Sequence, residues 1–438
     1  MMLRAMAMLM VPAALLAQEP TRSDAAQSGV TKADAAQSGV AKPDSSDAEQ
    51  KALSVALSDG NTSSMDLIRS LEAFLKQYPH AAQTFEIDRV LAHSAIEMKD
   101  DRRTVQYGEP VLAISQDDML LIDRVARAYL GLGGRQNAEA SLKYSRMFEQ
   151  KIHDAPPPDG RDVARKQDER DHGIARALLY QAQAKITLGE KAEAESLAAR
   201  AYAAYPAEET ARGWAETLVQ LNKKNDAIER YADAFSIPDA HVTDADRASD
   251  RAKLGDLYRQ LHHNEKGLGD IILAAYDRTA ATLEQRKTHL AAIDPNFAAT
   301  EPEQFTVTGL DGRKFPLSTL KGSVVVLDFW ATWCGPCRAQ HPLYDQVKQR
   351  FKDHKDVVFL SIDTDENPQL VSPFLDQQKW SRSSVYLDDG LQRLLQVTNI
   401  PTTILFDKQG RVASRMNGFL PDRFVNQLSE RIESALSQ

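Results

Sequence analysis

Cysteine is nearly missing from this sequence: Cys334 and Cys337 are the only two among 438 residues. A chain so poor in cysteine cannot build the multi-bridge framework that staples many exported domains. The pair stands in the stretch DFWATWCGPCRAQHP, Asp328 to Pro342. Three readings are open at this point: a redox couple, half of a metal site, or a local staple. A basic excess is missing too. Lys and Arg number 53 against 62 Asp and Glu, giving a net charge of −9 and a pI near 5.7. That balance argues against nucleic acid, which demands a basic face, and against an anionic membrane surface. Long apolar runs are also missing. The one candidate, Ala5 to Ala17 behind the single charge of Arg4, is shorter than the ~20 residues of a spanning helix. It suits the core of an export signal instead. Residues 1–17 are therefore expected to be a signal peptide, and the protein to be exported and periplasmic. Cleavage after Ala17 is the natural site, although Leu15 fits the recognition pattern poorly. No cysteine follows the run, which argues against a lipid anchor. Residues 18–47 lack aromatics and repeat SDAAQSGVTK as ADAAQSGVAK. Such a segment buries too little apolar area to offset its ordering entropy, so a disordered linker is expected.

From 48 to 295 the apolar residues recur at helical spacing. In SSMDLIRSLEAFLKQYP, Ser64 is a candidate N-cap, and Leu67, Leu71, Phe74 and Leu75 make one stripe. Later segments share a helix–turn–helix shape: RVARAYLGLGGRQNAEASLKYSRMF, YQAQAKITLGEKAEAESLAARAYAAYP and WAETLVQLNKKNDAIERYADAF, with LGDLYRQLHHNEKGLGDIILAAY as a fourth, degenerate copy. Leu188-Gly189 and Leu221-Asn222 hold matching turn positions 33 residues apart. That period is close to the 34 residues of tetratricopeptide repeats. Residues 48–295 are accordingly expected to be an all-α, tetratricopeptide-like helical-repeat region. Residues 153–173, with three prolines and dense mixed charge, read as an exposed loop or a helix extension beyond it. His262-His263 have no framing carboxylates and read as surface, and Trp214 and Tyr231 read as core. A solenoid surface implies a protein or peptide ligand on the repeats, or a mere spacer.

Helical periodicity is lost over 293–304, the expected domain boundary, and the grammar then changes. FTVTGLDGRKFPL alternates about Asp311-Gly312, a hairpin signal. SVVVLDFW and VVFLSID are near-continuous apolar runs, as in strands buried on both faces. A helix opens at the cysteines and runs to about Lys352. Others are expected near 368–379, near 390–396 and from Asp422, with strands at SVYL, IPTTILFD and RVASRMNG. Alternating strands and helices predict a layered α/β domain over 303–438.

Trp333-Cys334-Gly335-Pro336-Cys337, the DFWAT before them and Ile400-Pro401-Thr402 after them together resemble thioredoxin. FTVTGLDGRKFPLSTLKG resembles the TlpA-type branch of exported thioredoxin-like proteins. The resemblance covers nearly a third of the chain and leaves the helical region unexplained. It implies an α/β thioredoxin fold and a redox-active disulfide, Cys334–Cys337, with no other cofactor and no metal. The chemistry of the residues agrees. A cysteine at a helix N-terminus faces unpaired N–H groups and the positive dipole end, which stabilise its thiolate. Cys337, one turn in, is placed to resolve. Pro336 suits a first helical turn, where its missing N–H costs nothing. A closed zinc site would need four ligands, and no second Cys/His pair lies near. A staple across so few residues would constrain the unfolded chain little.

By the same resemblance Pro401 is expected to be cis and beside the cysteines, leaving the Ile400 peptide groups to pair with a client strand. Asp328 corresponds to the buried carboxylate that helps deprotonate the resolving cysteine. Trp333, Gly335, Pro336 and Gly418 line the client site; Trp330 packs beneath it, and Pro342 lies in the helix. Three positions depart from the pattern. Phe359 stands where thioredoxin has lysine, so Asp328 is expected to have a raised pKa. Gln340 replaces the branch's usual glutamate. His341 shares a helical face with Cys337 and could tune the pair. The implied activity is thiol–disulfide exchange that reduces client proteins, fed by a membrane thiol donor. The rival reading is an interaction scaffold whose thioredoxin fold is a docking module.

Overall fold

A computed structural model describes residues 47–59, 63–158, 162–239 and 242–437. The expected signal peptide, and all of the expected linker except Asp47, lie outside the described residues. Among the described residues twelve helices come first: α1 (Asp47–Asp59), α2 (Ser64–Gln77), α3 (Thr84–Glu97), α4 (Asp101–Ile114), α5 (Met119–Leu132), α6 (Arg135–Asp154), α7 (Val163–Leu188), α8 (Lys191–Ala204), α9 (Glu208–Gln220), α10 (Lys224–Ser236), α11 (Asp244–His262) and α12 (Leu268–Ile293). Ser63, one residue before the expected cap, accepts from the Asp66 N–H and starts α2; Asp100, Asp118 and Thr243 do the same for α4, α5 and α11. Short connections fold successive helices back on one another. The two matched turns close with left-handed residues, Gly189 at φ 86° and Asn222 at φ 60°, as helix C-termini commonly do.

Small residues set the spacing between helices. A Cβ on Gly213 of α9 would lie 2.3 Å from Leu179 Cδ1 of α7. Tyr231 is buried in the cluster that joins α9, α10, α11 and α12, and Trp214 packs on its edge. The segment 153–173 resolves mostly into helix, since α6 continues to Asp154 and α7 begins at Val163. One feature departs from a simple row of hairpins. α12 runs back to α7, where Arg286 binds Asp168 at 2.7 Å and Asp171 at 3.1 Å. Buried acids tie the array as well: Asp250 pairs with Arg212, and Asp233 with Arg230 and Arg278.

The C-terminal unit is a seven-stranded sheet ordered β2-β1-β5-β4-β3-β6-β7. Its strands are β1 (Thr306–Gly309), β2 (Lys314–Pro316), β3 (Val324–Trp330), β4 (Val357–Asp363), β5 (Val385–Leu387), β6 (Thr402–Phe406) and β7 (Val412–Asn417). The expected hairpin forms about Gly312 at φ 79°, pairing Val307 with Phe315. β3, β4 and β5 run parallel, and β6 returns antiparallel along β3. Every residue of β3 is buried, which explains its unbroken apolar run. α13 (Gly335–Arg350) and α16 (Pro421–Leu436) cover one face, with Tyr344 and Phe424 packed over Val324, Val326 and Leu405. α15 (Leu391–Leu394) helps cover the other, over Leu327, Phe329 and Ile404. α14 (Val371–Gln378) lies beside Trp330. The molecule is thus an all-α region followed by an α/β thioredoxin fold.

Candidate active site

β3 delivers the site. Its buried run ends at Trp330, and the chain turns through Ala331–Trp333 into α13. Asp365, just past β4, is buried and fixes that turn, accepting from the Thr332 N–H at 2.7 Å and hydroxyl at 2.8 Å. Cys334 is the N-cap of α13, and its Sγ accepts from the Cys337 N–H at 3.2 Å. Pro336 takes the first turn of the helix, as its chemistry predicts. A disulfide joins Cys334 to Cys337, with Cα atoms 5.3 Å apart. Both cysteines are buried, each 4% exposed, in a cluster with Trp330, Ala331, Val371, Leu375 and Val385. Ile400 packs against that cluster, and the Ile400–Pro401 bond is cis. The Gly418 N–H donates to the Pro401 carbonyl at 2.7 Å. Gly418 has φ +69°, and a Cβ there would meet nothing within 4 Å. Backbone conformation, not space, makes glycine apt at this position. Gly335 is exposed with open space around it. Trp333, directly before the pair, is 70% exposed.

Asp328 lies deeper on β3, 7% exposed. The Gln340 Nε2–H donates to its Oδ1 at 2.7 Å, and the Thr403 hydroxyl to the same atom at 3.3 Å. Burial pushes its carboxyl up to about 7; the nearby Lys348 charge and these two donors pull the other way without prevailing. The direction is the one expected from Phe359. That ring sits opposite Val326 and packs edge-on against Tyr344, 5.7 Å between centroids, so no cation comes from β4 there. Among the described residues, no hydrogen bond joins Asp328 to either cysteine. Gln340, the donor to Asp328, lies three residues beyond Cys337, about one turn along α13. Its amide oxygen is buried without a hydrogen-bond partner.

His341 stacks flat on Trp380, ring centroids 3.5 Å apart and 3° from parallel. Burial lowers its pKa to about 4, against the pull of Asp345 at 3.4 Å. Trp380 in turn meets Trp330 and Phe374 edge-on, so His341 belongs to the aromatic wall behind the disulfide. Sequence reading missed Lys348, Thr403, Asp365 and this wall. Thr403 follows Pro401 by two residues and was open to notice. The others are brought in by the fold.

Thiol–disulfide chemistry is what the arrangement can do: a vicinal pair at a helix N-terminus, a buried acid that titrates near neutrality, and an exposed aromatic at the mouth. Comparison with known proteins agrees. The AhpC/TSA family model matches residues 298–431. The chain is 33% identical over 140 residues to a thiol-disulfide oxidoreductase ResA of Bacillus cereus, covering 32% of this chain and 76% of that protein. It is 37% identical over 112 residues to chloroplastic thioredoxin Y2 of Arabidopsis thaliana, covering 26% and 51%. Among solved structures, a thiol:disulfide interchange protein of the thioredoxin family from Chlorobium tepidum is 27% identical, covering 30% of this chain and 92% of that one, with a TM-score of 0.27.

Proposed function

Because the chain belongs, through its C-terminal third, to the thioredoxin-like thiol–disulfide oxidoreductases and is a protein-disulfide oxidoreductase, we propose that it reduces disulfides of client proteins outside the cytoplasm. The observation that carries this reading is the Cys334–Cys337 pair capping α13. No cofactor beyond that dithiol is required, and no metal.

In the reduced protein, the helix terminus favours the Cys334 thiolate. It attacks one client sulfur, forming a mixed disulfide and expelling the other client sulfur as a thiolate, which takes up a proton. Asp328, as carboxylate held by the Gln340 amide, then accepts the Cys337 proton through water. The Cys337 thiolate attacks Cys334 Sγ, closes the disulfide and releases the second client sulfur. Two electrons and two protons pass to the client. Trp333, Gly335, Pro336, Ile400, Pro401 and Gly418 form the surface on which the client segment lies. A membrane thiol donor would return the electrons. Residues 1–17 are proposed as the export signal; among the described residues no helix is long and apolar enough to cross a membrane.

The helical region is proposed to be a tetratricopeptide-like array that holds a protein or peptide. In its support, a groove of about 480 Å3 opens between α7, α9, α10 and α11, lined by Gln183, Glu216, Tyr231 and Lys253 among others. The scaffold reading would place the biology there alone.

The deciding experiment is a redox titration of the purified protein. A potential near −270 mV supports a reductase; one between about −180 and −120 mV reverses the direction of electron flow. A Cys334→Ser variant that fully complements a deletion strain would leave only the scaffold.

A further inference from the structure

Arg338 is a cation in an unfavourable place. It sits in the first turns of α13, where the helix end is already positive and anionic groups are the stabilising ones. Among the described residues its side chain has no hydrogen-bonding or ionic partner. Arg382, Arg393 and Arg411 are engaged, with Asp376, Asp162 and Asp407, whereas Arg423 in the first turn of α16 is, like Arg338, without such a partner among the described residues. In a chain of net charge −9, this unpartnered, exposed guanidinium at a helix N-terminus carries a small local cost, and it stands one residue after the resolving cysteine.

Its surroundings supply a use. A shallow hollow of about 410 Å3 lies between the start of α13 and α14. Trp333, Leu370 and Phe374 give it an apolar floor, and the Gln377 and Gln378 amides lie along it. Arg338 is the one charged residue in its lining. Trp333 and Leu370 are 70% and 53% exposed, so large apolar surface faces solvent beside the reactive sulfur. Exposed apolar surface rimmed by polar groups is how interaction sites present themselves.

We infer that this hollow selects the client: it takes a cysteine-containing protein segment in which a bulky apolar residue next to the attacked cysteine is followed by a carboxylate. The apolar side chain covers Trp333, Leu370 and Phe374, and the carboxylate meets Arg338, whose planar fork suits it. This deepens the oxidoreductase reading and rests on it. The charge complementarity is one-sided, because no acid lines the hollow to welcome a basic segment.

The test uses two synthetic cyclic disulfide peptides, identical except that Leu beside the attacked cysteine is followed by Glu in one and Lys in the other. Reduced full-length protein is mixed with each at low salt, and its oxidation is followed by tryptophan fluorescence. Each rate is divided by that for dithiothreitol on the same peptide, which cancels the peptide's own reactivity. Taking the Glu-to-Lys ratio within each variant cancels changes in the thiol's reactivity. The wild-type ratio is expected to be about two- to five-fold, the range of a solvent-exposed ion pair, and to shrink as salt is added. Arg338→Gln should bring it to about one, and Arg338→Glu should invert it. An Arg338→Glu ratio equal to the wild-type ratio overturns the inference. Bis(2-hydroxyethyl) disulfide, a neutral probe, separates the two levels. A wild-type protein that reduces it but shows no charge preference refutes only the hollow. One that cannot reduce it refutes the oxidoreductase reading and the inference together.

Discussion

At the scale of residues, two titrating groups near the disulfide are displaced from their usual ranges by the same cause. Asp328 is pushed up to about 7 and His341 down to about 4, both by burial. Their effects on stability have opposite signs. Between about 3.8 and about 7 the folded protein keeps the Asp328 proton that the unfolded chain releases. Folding therefore loses stability as pH rises through that window. For a shift of roughly three pH units, the full effect is about 4 kcal/mol. His341 is protonated more readily in the unfolded chain, so it removes stability as pH falls from about 6.5 to about 4. Between about 4 and about 6.5 the two effects offset one another, so Asp328→Asn is expected to uncover the His341 contribution: the urea midpoint of the oxidised variant should climb with pH over that range more steeply than that of the wild type. The same variant should slow the second chemical step, on the order of 10²-fold for loss of a general base, so that mixed disulfide accumulates at pH 7 in rapid-quench mass spectrometry. Parallel midpoint curves for wild type and variant would show that Asp328 does not hold its proton in the fold, and an unchanged rate of mixed-disulfide decay would remove it from the mechanism.

At the scale of elements, the hairpins depend on how closely helices approach. Gly213 lies against the buried Leu179, where an added Cβ would come within 2.3 Å. Gly269, near the start of α12, faces open space. Gly213→Val is expected to cost about 1–3 kcal/mol by overpacking, whereas Gly269→Ala should be neutral or gain up to about 1 kcal/mol from helix propensity. Thermal unfolding followed by circular dichroism compares the two directly; equal melting temperatures would show that the α7–α9 contact does not limit the array. The same elements show what a sequence can and cannot disclose. The turns at Gly189 and Asn222, the hairpin at Gly312, β3 and the start of α13 were legible, because each is set by neighbours in the chain: periodicity, turn chemistry, a cap. Within the site, Asp328 and the cysteines were legible by motif. Lys348 and Asp365 were not, since neither carries a local signal and only the stacking of α13 on β3 and β4 brings them near. The loop at 153–173 read ambiguously because its prolines end at Pro158, while its charged second half has good helix formers that extend α7.

At the scale of the whole molecule, two units with different physics share one chain. The thioredoxin fold closes around β3 and needs little from the helices to form its site; the described groups that bond Asp328 or pack around the disulfide lie within residues 310–403. The array is held partly by contacts between distant segments. Arg286 on α12 reaches Asp168 and Asp171 on α7 and lies over the Tyr205 ring at 4.5 Å. The side chains are largely out of solvent, so each charged hydrogen bond counts for about 1.5–3 kcal/mol and removing one partner strands the others. Arg286→Ala should therefore detach the C-terminal part of α12. Amide hydrogen exchange in α12 and at the start of α7 should quicken by about ten-fold or more, a change of ~1.4 kcal/mol in local opening. The Cys334–Cys337 potential should stay within about 10 mV of wild type, because nothing in the site hangs on that helix. Faster exchange with a constant potential would establish the array as a separate cooperative unit that does not tune the chemistry. A potential that moved with Arg286→Ala would instead tie the two units into one, and the contact between Arg393 of the redox unit and Asp162 at the head of α7, 2.9 Å long, would be the place to look for the coupling.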